Sequence, residues 1–384
     1  MRVLFISTMA GAAWGGSEEL WVKTAAHAME QGHQISISVY DWGALHPKVQ
    51  QLKEKGAQVT VRKRIYFGSS VMNRGKGLLV KKIFAEREII QLKSFKPEAI
   101  VISQGTIYEC MSPGFLHLQN ATKAKILIIT QANSEYETIP TAFYNAGRRL
   151  FEKAHHLFFV SKRNLLVAER QLAMAFNNAS VISNPANLSE HEIVKWPEGE
   201  CIQFAFVGRL NSTVKGLGVL LQILSDSKWR SRNWKLNLFG KGEDESYLKD
   251  LVKLYALEEK VFFHGFVSKI SLVWEQNHLL LMPSTLEGTP LSLIEAMLCG
   301  RTAVVSDVGG NAELIDDDLN GFVAEAPSVH SFGKAMERMW NRKSELSDLG
   351  VSAFGSLKNK IDLNAHQVIL KSVEEDENGK SACK

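Results

Sequence analysis

Two carboxylates that flank a predicted helix start are the residues of this sequence with the clearest chemical potential. The segment 287–297 runs EGTPLSLIEAM, which predicts a loop that carries Glu287 and a helix that carries Glu295. Carboxylates placed in this way can accept hydrogen bonds from sugar hydroxyl groups. An ordinary capped amphipathic helix has the same local pattern, so this segment alone leaves both interpretations open.

The start of that helix adds a group that binds anions. We expect Thr289 at the N-cap, Pro290 at the first helical position and Gly300 at the left-handed residue after the last turn. The free backbone N–H groups of a helix start can bind a phosphate. An anionic group held by N–H donors, with carboxylates beside it, suits a sugar nucleotide.

Two cations follow the first predicted strand of the second half. Arg209 lies in Gly208-Arg209-Leu210, and Lys215 opens the next helix with Gly216. An arginine fork and a lysine point charge at a strand end suit a diphosphate, whereas the alternative is a pair of ordinary surface cations. Weaker patterns follow the next two strands, Gly240-Lys241-Gly242 and then His264-Gly265-Phe266, where a planar base could lie against Phe266.

A glycine pair opens the first predicted helix of the chain. Gly15 and Gly16 follow the opening strand, and their N–H groups could approach a bound anion. The spacing is not GxGxxG, which disfavours a nicotinamide enzyme. Asp316-Asp317-Asp318 stands beside Asn320-Gly321 with no histidine near it in sequence, so we interpret it as a solvated turn and predict no metal site.

The elements that position these residues alternate along the whole chain. Apolar runs of strand length and helix-period stretches follow one another, which predicts an α/β fold with parallel sheets. Strands are expected at 2–7, 34–39, 57–61, 99–102, 125–130, 156–160, 179–183, 202–207, 234–239, 261–264, 278–282 and 302–305. Helices are expected at about 17–31, 78–95, 140–153, 162–175, 216–226, 244–255, 290–299 and 329–341.

The polar stretch 188–200, which contains Pro197 and Gly199, divides the chain into two domains. We place the N-terminal domain at 1–187 and the C-terminal domain at 188–362. Two doubly wound domains of this kind would face a central cleft, lined by loops at the carboxyl ends of their strands.

Charge is distributed unevenly between these domains. Residues 1–187 hold 23 Lys and Arg against 13 Asp and Glu, and the whole chain has a net charge of +4. Basic residues without any acid occupy 62–82, interleaved with apolar ones, which predicts contact with an anionic membrane surface or acceptor; a solvated loop is the alternative. No apolar run approaches the roughly 18 residues needed to span a bilayer. The four cysteines are scattered without a CxxC pair, which favours a reducing cytoplasm. The basic first domain adds the expectation of a peripheral position at the inner face of the membrane.

At this point the sequence resembles the family 4 glycosyltransferases. The order of its motifs carries the resemblance: Gly15-Gly16-Ser17-Glu18, Gly32-His33, Gly208-Arg209-Leu210, Lys215-Gly216, Gly240-x-Gly242, His264-Gly265, Glu287-x₇-Glu295 and Gly300. It implies a GT-B fold of two Rossmann-like domains, with a C-terminal helix at 363–384 that crosses back to the N-terminal, acceptor-binding domain. It also implies transfer of a hexose from a nucleotide-diphosphate sugar with retention of configuration and without an essential metal or other cofactor.

The resemblance implies a role for each matching residue. Arg209 and Lys215 would hold the diphosphate, and Glu287 would hold the sugar. The N–H groups of Gly288, Thr289 and Leu291 around Pro290 would bind the sugar and the distal phosphate, and Glu295 would accept from the ribose hydroxyls. Fixed cations and N–H dipoles stabilise the charge that bond cleavage leaves on the departing phosphate.

One departure concerns the loop after the strand at 125–130. Many relatives have a histidine there, whereas this chain has Gln131 and Asn133, which can hydrogen-bond a sugar but cannot act as a general base. We expect activity to persist, since the leaving phosphate can take the acceptor proton. The expected acceptor is a glycan or a lipid-linked sugar in surface polysaccharide or glycolipid synthesis, and no nucleic acid. A sugar-nucleotide epimerase or hydrolase, and a non-catalytic sugar-nucleotide-binding protein, remain as alternatives.

Overall fold

The computed structural model describes residues 1–63, 91, 94–111, 113–186, 188, 192–362 and 364–375. Contacts divide the chain into two units, Met1–Pro185 with Leu363–Lys384, and Ala186–Asp362. Each unit contains a parallel sheet, as the sequence predicts. Most of the basic segment 62–82, the predicted helix at 78–95 and the end of the C-terminal tail lie outside the described residues.

The first unit is built on a seven-stranded sheet of order β3-β2-β1-β4-β5-β6-β7. Its strands are β1 Arg2–Ser7, β2 Gln34–Tyr40, β3 Gln58–Arg62, β4 Ala99–Gln104, β5 Lys125–Thr130, β6 His156–Phe159 and β7 Ala179–Val181. Its described helices are Gly16–Glu30, Pro47–Glu54, Pro113–Ala121, Thr141–Lys153, Lys162–Leu172 and Ala365–Glu374, with a 3₁₀ turn at Glu109–Met111. The order reverses between β1 and β4, where ligands of doubly wound folds bind at the carboxyl ends of the strands.

The second unit repeats this plan with a six-stranded sheet of order β10-β9-β8-β11-β12-β13. Its strands are β8 Ile202–Val207, β9 Trp234–Phe239, β10 Val261–Gly265, β11 Leu279–Met282, β12 Thr302–Ser306 and β13 Phe322–Ala324. Its described helices are Ser212–Lys215, Leu217–Leu224, Ser227–Arg230, Glu245–Leu254, Ile270–Gln276, Leu291–Leu298, Asn311–Leu314, Val329–Asn341 and Leu346–Leu357, with a 3₁₀ turn at Lys343–Glu345. Here the order reverses between β8 and β11.

Both faces of each sheet are covered, which explains why the central strands are continuous apolar runs. In β4, Ile100 and Ile102 pack into one core, and Ala99 and Val101 pack into the core on the opposite face. Helix Ala365–Glu374 packs against helix Gly16–Glu30 through side chains of the second of these cores. This contact fixes the C-terminal helix to the first unit.

Arg301 holds the start of the second unit to its sheet. Its side chain is fully buried and donates to the carbonyl oxygens of Trp274 (3.0 Å), Asn277 (2.9 Å) and Lys195 (2.5 Å), among others. Burial lowers the pKa of the guanidinium to about 10. The guanidinium therefore satisfies backbone oxygens that have left water, including those at the end of helix Leu291–Leu298.

The structure corrects two local predictions, the positions of Thr289 and Pro290 at the start of the helix after β11. Thr289 is not the N-cap of the helix that follows, because Pro290 takes that position with φ −72° and ψ 125°, and the helix begins at Leu291. Gly300, in contrast, has the predicted left-handed conformation, with φ 71°. The short strand β13 was not predicted, since three residues are too few to show alternation.

Candidate active site

Three glycine-containing loops meet at the carboxyl ends of β8, β9 and β10. The N–H of Gly240 donates to the carbonyl of Gly265 (2.7 Å), and the N–H of Gly208 donates to that of Phe239 (2.9 Å). At Gly240 φ is 136°, and a Cβ atom there would lie 1.8 Å from the carbonyl oxygen of Gly208. The glycines therefore allow adjacent backbones to approach, which brings the loops after the three strands to one edge.

Lys215 is placed at this edge by a short capped helix. The Asn211 side chain accepts from the N–H of Val214 (2.8 Å), and the Asp244 carboxylate accepts from the N–H of Ser212 (2.6 Å). Gly216 ends this helix at φ 64°, and a Cβ atom there would lie 2.0 Å from the carbonyl oxygen of Pro283. The helix end therefore lies directly against the loop that follows β11.

The amine of Lys215 and the carboxylate of Glu287 form an ion pair across the switch point of the second sheet. The Nζ to Oε1 distance is 2.5 Å, although the two residues are 72 positions apart. The Glu287 side chain is 7% exposed and that of Lys215 is 22% exposed. Because the Lys215 amine remains accessible to solvent, it can bind an anion while the Glu287 carboxylate keeps the lysine side chain oriented.

The loop that carries Glu287 is closed by the glycine pair after β12. The N–H of Gly310 donates to the carbonyl of Gly288 (2.6 Å), and a Cβ atom on Gly309 would lie 2.2 Å from the carbonyl oxygen of Glu287. Thr289 and Glu295 are both buried, at 6% exposure, the former before the helix start and the latter inside the helix. The structure thus brings Lys215, Glu287 and the start of helix Leu291–Leu298 together.

The remaining predicted residues of this edge are open to solvent. Arg209 and Lys241 are exposed in the loops after β8 and β9, and the Phe266 ring is 75% exposed after β10. His264 is exposed as well, and its ring stacks on Phe239 with ring centroids 4.6 Å apart, while its Nε2 lies 2.9 Å from Asn237 Oδ1. Partial desolvation lowers the pKa of His264 below its ordinary value.

The first unit has a second constellation, at the carboxyl ends of β1 and β4. Gly15 is the N-cap of helix Gly16–Glu30, and burial raises the pKa of Glu18 in its first turn to about 7. The Glu109 carboxylate accepts from the hydroxyl of Thr8 and from the N–H of Gly105 (2.9 Å). Burial also raises the pKa of Glu109. Sequence reasoning missed Thr8 and Glu109, although both follow strands that the sequence predicts; the structure places these strands at the switch point of the first sheet.

Gln131 and Asn133 lie after β5, and their side chains are 5% and 4% exposed. The side-chain oxygen Oε1 of Gln131 accepts from Asn184 Nδ2 (2.9 Å). Asn133 accepts from the N–H of Ile107 (3.0 Å) and donates to the carbonyl of Asn164 (3.0 Å). The amide groups of both residues are therefore engaged within the first unit.

Arg62, which begins the basic segment, belongs to the core rather than to a surface. It is 1% exposed, donates to the carbonyl oxygens of Ser7 and Ser38, and lies 4.2 Å from the centroid of the Tyr40 ring.

Among the described residues, no helix combines the length and the apolar character that a membrane span requires.

The three consecutive aspartates after helix Asn311–Leu314 are paired with cations. Arg338 binds Asp317 and Asp318, at 3.0 Å and 2.5 Å, and Lys360 binds Asp316 at 2.7 Å. Within the part of the chain that the structure describes, no group of three or more His, Cys, Asp or Glu side chains could hold a metal ion.

A family model described as "Glycosyl transferases group 1" matches residues 189–354, the range that contains Arg209, Lys215 and Glu287. Residues 189–354 are therefore similar to the group 1 glycosyltransferases. An uncharacterized glycosyltransferase of Haemophilus influenzae is 31% identical over 166 residues, which is 43% of this chain and 46% of that protein. The lipopolysaccharide 1,6-galactosyltransferase of Escherichia coli K12 is 28% identical over 165 residues, 41% of this chain and 45% of that protein. The chain thus spans about half the length of these relatives.

Solved structures extend the likeness in fold beyond residues 189–354. An Anabaena protein in complex with UDP-glucose has a TM-score of 0.71 at 16% identity, covering 97% of this chain and 99% of that one. At this identity the match shows the fold alone. The two parallel-sheet, Rossmann-like domains are those of the GT-B fold, as the sequence predicts.

Proposed function

We propose that this chain is a retaining family 4 glycosyltransferase, which moves a hexose from a nucleotide-diphosphate sugar to a glycan or lipid-linked acceptor in surface polysaccharide or glycolipid synthesis. The contact between Lys215 and Glu287 beside a helix start carries the proposal. It lies at the switch point of the second sheet, where doubly wound folds bind nucleotides. The relatives named above support it, since both are called glycosyltransferases. No observation favours an epimerase, a hydrolase or a non-catalytic binding protein.

The chemistry follows from where charge develops. Cleavage of the bond between the anomeric carbon and the phosphate oxygen leaves negative charge on the nucleotide diphosphate. Lys215 and Arg209 would stabilise that charge together with the N–H groups at the start of helix Leu291–Leu298. Glu287, oriented by Lys215, would accept hydrogen bonds from the sugar hydroxyls. Two fixed cations can supply the charge that a metal supplies in other transferases.

Retention would arise if the acceptor approached the face that the diphosphate leaves. The departing phosphate oxygen would then take the acceptor proton, while the acceptor oxygen forms the new bond to the anomeric carbon. This route needs no protein base, which agrees with the amides of Gln131 and Asn133 in the loop after β5.

Thermal unfolding in the presence of UDP-, GDP- and ADP-sugars tests the donor site. A specific donor at 100 times its Kd should stabilise the protein by about 2.7 kcal/mol. Arg209→Ala and Glu287→Ala should abolish the shift, whereas Arg230→Ala, an exposed arginine on helix Ser227–Arg230, should preserve it. Absence of a shift with every sugar nucleotide would refute the donor site. The anomeric configuration of the product, read by NMR, then tests retention.

A further inference from the structure

The loop after β5 presents an exposed aromatic ring. Tyr136 is 84% exposed, which is the highest value among the large apolar side chains of the described residues. Its loop begins with Gln131 and Asn133, whose side chains point into the protein. Of the residues in this loop, Tyr136 is therefore the one that offers a large face to a ligand.

Helix Lys162–Leu172 holds the backbone on both sides of this ring. Gln171 donates from Nε2 to the carbonyl oxygens of Ser134 (3.0 Å) and Glu137 (2.9 Å). Arg170 donates to the carbonyl of Glu135 (2.7 Å), and Arg163 pairs with the Glu135 carboxylate. Four side-chain contacts thus fix the residues immediately before and after Tyr136.

The loop after β4 supports the same segment from another direction. The Tyr108 hydroxyl donates to the Glu137 carboxylate at 2.8 Å. Asn133 joins the N–H of Ile107 to helix Lys162–Leu172 through its contacts with Asn164. Asn133 thus links the loop after β5 both to the loop after β4 and to helix Lys162–Leu172.

A single exposed aromatic residue is common on protein surfaces and by itself needs no explanation. A loop tip held by this many side-chain hydrogen bonds is less common, because such tips are usually among the mobile parts of a protein. The backbone of this loop already loses its conformational entropy when the protein folds. Little further backbone entropy is therefore lost when a ligand binds to the Tyr136 ring.

The chemistry around the ring matches a sugar. A pyranose has an apolar face of C–H groups, which packs on an aromatic ring, and hydroxyls at its rim. The carboxylates of Glu135 and Glu137 flank Tyr136, and each carboxylate has about four acceptor sites, more than its protein partner uses. The loop also lies at the carboxyl ends of β4 and β5, beside the switch point of the first sheet.

We propose that Tyr136 is a stacking platform for a sugar ring of the acceptor, with Glu135 and Glu137 accepting hydrogen bonds from its hydroxyls. This inference rests on the proposed function and assigns acceptor recognition to the first unit. The platform selects acceptors whose terminal sugar exposes an unsubstituted C–H face.

Steady-state transfer measures the effect, with UDP-glucose, UDP-galactose and UDP-N-acetylglucosamine as donors. The acceptors are octyl glycosides of glucose, galactose and N-acetylglucosamine, whose binding is also followed by saturation-transfer NMR. Tyr136→Ala should raise the acceptor KM or Kd about tenfold, which equals about 1.4 kcal/mol, and should leave the donor Kd within about twofold. Tyr136→Phe, which keeps the ring, should behave as wild type, as should Tyr247→Ala, a half-exposed tyrosine of the second unit.

The outcomes separate this proposal from the function on which it rests. If Tyr136→Ala still binds the donor and transfers the sugar with an unchanged acceptor KM, the proposed role of Tyr136 is refuted. The proposed transferase function then still stands. Wild-type protein that binds the donor but none of the glycosides would also overturn the proposed role of Tyr136. A change of oligomeric state in Tyr136→Ala, read by light scattering, would assign the ring to a protein interface instead. Absence of donor binding in the wild type would refute the proposed function itself.

Discussion

Replacing Glu18 by glutamine removes a carboxyl group that is 5% exposed, in the first turn of helix Gly16–Glu30. Loss of hydration is the largest influence on this group, and it raises the pKa from 4.5 to about 7. Nearby Glu109 acts in the same direction, whereas Ser7 and Arg62 stabilise the ionised form and oppose the shift. The folded protein therefore binds the Glu18 proton more tightly than the unfolded chain does.

The sign of the pH dependence follows from this difference. The stabilisation from the bound proton is fully present below pH 4.5 and is lost as the pH rises through about 7. Since each pH unit between the two pKa values corresponds to about 1.4 kcal/mol, the whole interval is worth about 3.5 kcal/mol. About 2.5 kcal/mol of this falls between pH 5 and pH 8.5.

Glutamine cannot ionise, so Glu18→Gln should become more stable relative to wild type by about 2.5 kcal/mol as the pH rises from 5 to 8.5. Urea unfolding, followed by pulsed hydrogen exchange on peptides of the first unit, measures the free energy of unfolding of that unit separately from the second unit. A pH-independent effect of the amide on this free energy cancels when the values at pH 5 and pH 8.5 are compared.

Glu152→Gln provides the control, because Glu152 is an exposed carboxylate on helix Thr141–Lys153 of the same unit. Its stability relative to wild type should change by less than about 0.5 kcal/mol over the same pH range. If the free energy of unfolding of Glu18→Gln differs from that of wild type by the same amount at both pH values, the reasoning is refuted. Burial would then not have changed the ionisation of Glu18.

Three further predictions concern the scaffold and the membrane surface. Gly216→Ala should destabilise the second unit by more than about 2 kcal/mol and weaken donor binding, because the new methyl group overlaps a backbone carbonyl. Gly355→Ala, which meets no atom within 4 Å, should be neutral or stabilising in the same urea titration. Arg301→Met should cost about 3–5 kcal/mol, since it leaves buried carbonyl oxygens without a donor, and an unchanged urea midpoint would contradict this. If the basic segment 62–82 binds anionic membranes, reversing its charges should reduce the amount of protein that sediments with phosphatidylserine vesicles. Equal sedimentation would exclude membrane binding by this segment. The residues to reverse are Lys63, Arg64, Lys81 and Lys82.

The alternation of strands and helices, and with it the fold class, can be predicted from the amino-acid sequence alone. Strands such as β5 and β8 are buried on both faces, so each must be an apolar run, and such runs are visible without knowledge of any partner. Gly300 could be assigned its left-handed backbone for a similar reason, since few other residues adopt it after a helix. The cations and carboxylates of the candidate site could be found because they directly follow these strands.

Which of those residues come into contact, and how burial shifts their pKa values, depends on how the chain folds. The contact between Lys215 and Glu287 joins positions 72 residues apart, and it forms because β8 and β11 are neighbours in the sheet. Arg62 belongs to a basic run in the sequence, yet it is buried among backbone carbonyls. Tyr136 differs from the buried residues of its own loop because of contacts from a helix that begins 26 residues later. Burial and charge are set by neighbours that folding brings from distant parts of the chain, whereas the backbone and apolar patterns that define strands and helices are local.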